Sequence, residues 1–545
     1  MENAKKRINE NLCRIMADDP NFKVEMNTVG SLYEFYDSVP ENYEEAINDP
    51  HADYGQLWKV KNDSYMPTRD IRNVVKKLID KQTRFFLSKE PNLNFKPIDG
   101  TQSEQAENKR NFIDNILDTN KFWRKSKNAF HDCVVGKRVL LAVLCPRPQG
   151  KGKDTDKDLR EIQLKYYTSP EFIYQFKPHN TDELQKVTIA YADDNTVGLL
   201  DTDQRWFRWT YEMIQGAEGE SCWATFEVLD GQANPIEVDQ GGNKVIIKDH
   251  WNTQLDRIPC KVILNDAKTS DTKGRSDLLD LVYMAHNYNR TVSDYRDALR
   301  FKMFEQPVFS NVDDTCLQNV EIAPGSVISI KPDMSYTGSD GSPMPATATM
   351  LSSTFNFADA TNSYLDGLKK DMYELMEQPL PEQIQDVPSG KALGMLYNDL
   401  ISRCEDKWVA WDEAIRWAID LIISMVNDFK LYTDNPNRSA LSTETLLTIE
   451  HNYPIPQDEA EKKDIAIKEV QAKVKSKLTY IKEYGEVEDE VAEYEQILTE
   501  MDDENNSMNT GLMEVDPGFN DDDGDEGASK KTTGKKPNED TKGAK

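Results

Sequence analysis

Between Ser276 and Phe304 the apolar residues Leu278, Leu281, Ala285, Tyr288, Val292, Tyr295 and Leu299 follow one another at alternating gaps of three and four. That spacing is one face of a single helix, which at about 1.5 Å per residue spans roughly 43 Å. A helix this long with one apolar stripe buries it well only against neighbours, so the stripe constrains the fold more than any other feature. Pro307 ends the pattern.

Beyond it, residues 305–350 read as a small module, with strand-like runs at Pro307–Val312 and Ser326–Ile330 and turns around Gly338, Gly341, Pro343 and Pro345. A second helix then runs to about Glu377, carrying Phe357, Ala360, Tyr364, Leu368, Met372 and Leu375 on one side. The module would sit at the far end of a helical hairpin. The next stretch, Gln378 to Gly390, holds three prolines and cannot be a continuous helix, so it reads as a loop. Ser389 could cap the helix that follows, whose stripe runs from Leu393 through Trp408 and Ile422 to Phe429 over roughly 40 residues.

Upstream, residues 67–90 and about 104–130 read as helices. Residues 137–264 change to short β-type runs such as Arg138–Cys145, Lys186–Tyr191, Trp206–Tyr211 and Lys244–Lys248, the pattern of an antiparallel sheet region. Downstream of Pro454 and Pro456, Asp458–Glu500 is a charged helical module with sparse apolar positions. From Met501 the chain reads as a disordered tail: ten acids and no base lie between Asp502 and Glu526, followed by six lysines.

Composition excludes several classes. With 66 Lys and Arg against 96 Asp and Glu, the net charge is −30, which argues against a protein that grips nucleic acid over its whole surface. The N-terminus turns polar at once, so no export signal is expected. The most apolar helical stretch, Ala414–Phe429, carries Arg416, Asp420 and Asp428, so no membrane span is expected. Seven scattered cysteines read as reduced thiols, and no two of the six histidines stand at i, i+3 or i+4. Tyr191-Ala-Asp193-Asp194 has the form of a metal-binding Tyr-x-Asp-Asp turn, from which a metal-dependent nucleic-acid enzyme could be built; read plainly, it is a hairpin turn. Gly150–Asp154 lacks phosphate-loop spacing, and Asn520–Glu526 lacks the first and last ligands of a calcium loop. No catalytic residue, cofactor or metal is expected.

The order of segments resembles the portal (head-to-tail connector) proteins of tailed bacteriophages, especially siphophages of Gram-positive hosts. The resemblance is carried by Ile258-Pro259 through Asn265 followed by Gly274-Arg-Ser-Asp-Leu278, then Tyr288–Tyr295. It is carried also by Ser389-Gly-Lys-Ala-Leu393 and by Asn73–Asp80 through Ser88–Pro91. It covers about residues 60–435.

The resemblance implies an α+β portal fold in a cyclic homo-oligomeric ring, usually a dodecamer. Residues 1–60 would form an N-terminal arm or outer wing, 61–270 a wing of helices and β-sheet, 271–304 a stem helix, 305–350 a small α/β clip and 351–377 a second stem helix. Residues 378–390 would form the tunnel loop, 391–435 a long helix returning to the wing, 436–500 a helical crown and 501–545 the tail. Double-stranded DNA would pass through the channel during packaging and ejection. Glu382, Gln383, Ile384, Gln385, Asp386 and Val387 are the candidates to face it, with Gln383, Gln385 and Asp386 at the narrowest part as short polar groups along which phosphates slide. The implied partners are the terminase large subunit, major capsid and scaffolding proteins, and a head-completion or adaptor protein; no membrane is involved. The place would be a capsid vertex of the virion, after assembly in the host cytoplasm. A helical scaffold or adaptor without a channel is the alternative. Residues 1–501 alone carry −24, which would make a ring whose channel repels phosphates and lets DNA move without sticking.

Overall fold

In a computed structural model of the chain, the structure describes residues 11–16, 22–37, 70–98, 103–145, 161–196, 200, 203–216, 219–236, 248–303, 306–316, 330–351, 357–385, 390–455, 459–485 and 489–511. The chain divides into two compact units, Met1–Pro456 and Gln457–Lys545.

The first unit opens with a helical turn at 11–15 and helix α1 (Phe22–Asp37). Helix α2 covers Val74–Phe86, starting later than the expected 67. The reason is tertiary. The amides of Asp70 and Arg72 donate to Ser293 Oγ and Asn289 Oδ1, 3.0 Å each, so these residues lie against the stripe-bearing helix instead of coiling. Asn73 then caps α2, its Oδ1 accepting from Lys76 N at 2.8 Å. After β1 (Asn92–Pro97), the expected helix 104–130 is two helices, α3 (Ser103–Thr119) and α4 (Phe122–Gly136). Lys121 sits between them at φ 51°. Next to it, the Asn120 side chain donates to Ile116 O and Ile162 O and accepts from Leu164 N, tying the break to the next sheet.

The β region is antiparallel, as expected. Strands β2 (Arg138–Leu144), β3 (Gln163–Thr168) and β9 (Cys260–Leu264) form one sheet in the order β3-β2-β9. Strands β4 (Phe172–Lys177), β5 (Asn180–Ala192), β6 (Trp206–Gly216), β7 (Gly219–Leu229) and β8 (Lys248–Asn252) form a five-stranded meander. Of the run Lys244–Lys248, only Lys248 lies among the described residues. Strand β2 is buried almost throughout, which is why its run Val-Leu-Leu-Ala-Val shows no alternation.

The stripe-bearing helix α5 covers Val282–Met303, preceded by a 3-10 turn at Asp277–Asp280 that Ser276 caps. It is thus shorter than the expected 276–304. Strands β10 (Gln306–Ser310) and β11 (Thr347–Leu351) pair antiparallel. The run Ser326–Ile330 lies, except for Ile330, outside the described residues. Helix α6 (Ala358–Leu375) packs against α5.

The proline stretch is not all loop: it contains a short helix, α7 (Pro381–Gln385). Pro381 stands at its first position, where a missing N–H costs nothing, and Gln383 Oε1 reaches back to accept from Leu380 N at 3.0 Å. The long helix that follows is divided at Tyr397 into α8 (Gly390–Leu396) and α9 (Asn398–Asp428). Helical hydrogen bonds run on through the division, Tyr397 N donating to Leu393 O and Ile401 N to Tyr397 O. Residues 436–442 form a 3-10 turn and β12 (Thr445–Glu450) pairs with β1, so this stretch, grouped above with the C-terminal helices, belongs to the first unit.

The core joins these elements through an aromatic stack. Phe130 of α4, Phe86 of α2, Trp408 of α9 and His451 lie face to face, with centroids 3.7, 4.1 and 4.3 Å apart.

In the second unit the expected stretch 458–500 is three helices, α10 (Glu459–Gln471), α11 (Lys477–Tyr484) and α12 (Glu490–Gly511). Ser476 caps α11 by accepting from Thr479 N. Helix α12 runs on into the expected tail, because the sequence past Met501 meets no glycine before Gly511 and no proline before Pro517. Residues 512–545 lie outside the described residues.

Candidate functional site

Three features meet where α2, α5, α6 and α9 come together. The first is a buried ion cluster at the entry to α5. Asn265, at the end of the β9 run, and Gly274–Leu278 are the residues whose order carried the resemblance. Gly274 is at φ +70°, and a Cβ there would meet Lys137 O at 2.5 Å, so only glycine fits. Ser276 caps the 3-10 turn and donates to Val134 O. Asp277 is buried and accepts from Asn265 Nδ2 at 2.8 Å, Lys407 Nζ at 2.9 Å, Arg403 at 3.0 Å and Gln82 Nε2 at 3.1 Å. Burial alone would raise its pKa, but Lys407 and Arg403, aided by the hydrogen bond from Asn265, hold it down at about 2. The cluster ties α9 and α2 to the start of α5.

Sequence reading did not single out this cluster. Its signal was present: Arg403 and Lys407 stand four apart, flanking the buried Cys404 on the stripe of α9. Two cations beside an apolar stripe need a buried anion.

The second feature is the root of the proline segment. Helix α6 ends in a Schellman pattern, with Gln378 N donating to Tyr373 O and Glu377 N to Glu374 O, and the left-handed position is taken by Glu377 at φ 54°. Arg403 donates to Leu375 O at 3.4 Å and lies 3.9 Å from Glu377. Gln378 is buried and donates to Leu78 O at 2.8 Å, while Lys81 Nζ donates to Pro379 O at 3.2 Å. So α2 holds the segment's first residues. Beyond them Glu382, Gln383 and Gln385 are exposed and Ile384 is half-buried on α7, and Glu382 lies 3.7 Å from Lys369. Asp386 and Val387 lie outside the described residues.

The third feature is the outer part of the α5–α6 pair. Along α5, Ala285, Tyr288 and Val292 are buried, but Leu299 is 39 % exposed. Along α6, Leu368 and Met372 are buried, whereas Tyr364 and Phe357 are 50 % and 44 % exposed. At the other end of α6, next to the ion cluster, Leu375 is 41 % exposed as well, so the buried part of the stripes is their middle.

Asp193 and Asp194 are remote from all this, in the connection between β5 and β6. Asp193 Oδ1 accepts from the main-chain and side-chain nitrogens of Asn195, closing an Asx turn. Among the described residues no group of three His, Cys, Asp or Glu is placed to hold a metal, and no helix is long and apolar enough to cross a membrane.

Compared with known families, residues 17–507 match the model described as phage portal protein, SPP1 Gp6-like. None of the curated proteins compared with the chain matches it.

Proposed function

The chain belongs to the phage portal protein family of the SPP1 Gp6-like type, a structural component of the virion rather than an enzyme family, and on that premise we propose that it forms a closed ring of twelve copies through which the genome passes. In this reading the ring sits at one capsid vertex, conducts double-stranded DNA during packaging and ejection, and serves as the dock for terminase, capsid and scaffolding proteins and the head-completion adaptor. In the same reading residues 378–390 form the tunnel loop, rooted by the buried Gln378 and Pro379, and present Glu382, Gln383, Ile384, Gln385, Asp386 and Val387 to the DNA. The β10–β11 module is the clip that meets the motor, α5 and α6 are the stem, and α10–α12 belong to the crown.

One observation supports the ring above the alternative of a scaffold without a channel. Among the described residues of one protomer Leu299, Phe357 and Tyr364 on the apolar stripes of α5 and α6 are exposed, and a ring would cover them by head-to-tail contacts. A phosphate-repelling wall fits the net charge of −30.

Two experiments test the reading. Negative-stain images of the purified protein should contain rings with a central hole; discrete monomers or irregular clusters at micromolar concentration would favour the scaffold. Deleting Glu382–Val387 should leave the ring intact and block DNA packaging or retention. Normal packaging by that deletion removes the loop from the channel.

A further inference from the structure

Lys81 stands on α2 at the one place where both ends of the loop-bearing segment come together. Its ammonium donates to the carbonyl of Pro379, the last buried residue before the chain emerges at Leu380 and Pro381. The same nitrogen lies 5.8 Å from the ring centre of Tyr373, in the last turn of α6, and 5.6 Å from that of Tyr397, at the division where the long helix resumes. Tyr397 in turn stacks on Phe85 of α2 at 5.4 Å. Among the described residues the charged group that acts on Lys81 is another cation, Lys77, and no carboxylate. A half-buried ammonium with no anion is costly unless other groups take its donors, and here one carbonyl and two aromatic faces do so. Burial, with the like charge of Lys77, holds its pKa below the ordinary lysine value, in keeping with that setting.

We propose that Lys81 is the positioning residue of the segment between Pro379 and Tyr397, holding its two ends together on α2 and thereby setting where the exposed Glu382–Gln385 helix stands. The proposal rests on the channel reading above and adds to it the group that fixes the loop. Among the described residues the anchor's partners are neutral, so its removal strands no buried carboxylate there. Its loss therefore loosens the segment locally and leaves the core alone. That distinguishes it from Arg403 and Lys407, whose removal would uncover Asp277.

The test uses the assembled full-length protein. Lys81→Met keeps the length of the side chain without the charge; Lys81→Arg keeps charge, donors and the affinity for aromatic faces. Amide exchange over residues 380–396 is expected to become at least tenfold faster in Lys81→Met, with β5–β7 unchanged and the melting temperature preserved. Filled particles should then lose DNA several-fold faster, and Lys81→Arg should restore both readouts. Should Lys81→Met not assemble, Lys81→Gln takes its place. Unchanged exchange in the segment overturns the proposal, as does loosening spread over the whole chain, or an Arg variant no better than Met. Loosening without faster DNA loss also overturns it, provided that deletion of Glu382–Val387 does block retention. If that deletion has no effect either, it is the channel reading that fails.

Discussion

At the scale of single residues, the molecule depends most on Asp277. Replacing it with Ala leaves the buried Lys407 with only the neutral Asn265 and Arg403 with only Leu375 O and the exposed Glu377, and breaking such a buried pair costs about 3–5 kcal/mol. The urea midpoint of Asp277→Ala should fall accordingly. Because the folded pKa of about 2 lies below the unfolded value, the cluster stabilises above about pH 4 and its contribution is lost as pH falls toward 2. Acid should therefore lower the midpoint of the natural chain more than that of Asp277→Ala. His451 works in the opposite sense. Burial lowers its pKa, but Asp412 and Glu405, at 3.1 and 2.9 Å, raise it above the usual histidine value, so its contribution is full below about pH 6.5 and fades as pH rises through the raised value. The stability lost in His451→Gln should be larger at pH 6 than at pH 9. Glu377 offers a gain. A left-handed non-glycine residue costs roughly 1 kcal/mol, while its exposed pairing with Arg403 returns at most a few tenths. Glu377→Gly should raise the unfolding free energy by about 0.5–1 kcal/mol and the urea midpoint with it, and an unchanged or lower midpoint would mean that the carboxylate matters more than the backbone.

Among elements, the α5–α6 pair carries both buried and exposed apolar residues, and charge placed on each kind should act differently. If the proposed ring forms, Leu299→Asp together with Tyr364→Asp should abolish it in sedimentation while leaving circular dichroism and melting unchanged. The same change at Met372, which is buried, should unfold the protein. The helices were legible in the sequence because their apolar spacing is regular, and so was the antiparallel β region, because its runs are short and separated by turns. Their ends were less legible. Residues 70–73 leave the helix for Asn289 and Ser293, more than two hundred residues away, and nothing local announces that exchange. The helix α7 inside the proline stretch was missed because three prolines read as a breaker, although Pro381 in a first turn starts a helix as readily as it stops one. Of the loop candidates, Glu382, Gln383 and Gln385 are exposed on α7, while the ion cluster that braces the loop's root was hidden, since its five members come from four separate stretches of sequence.

For the molecule as a whole, a charge of −30 per chain makes every association of copies a repulsive one at low salt. The screening length shrinks from about 30 Å at 0.01 M to about 8 Å at 0.15 M, so the fraction of rings in sedimentation should rise over that range. A fraction that falls instead would mean that ion pairs between subunits outweigh the general repulsion. The attachment of the loop to α2 has a further consequence, in time rather than in space. Gln378 bonds the carbonyl of Leu78 and Lys81 that of Pro379, contacts spanning 300 and 298 residues of chain. During synthesis at about 5–20 residues per second, α2 therefore waits tens of seconds for the segment it is to hold. The segment docks only after some 300 residues beyond α2 have been made, and until then its seat on α2 stays open to other proteins.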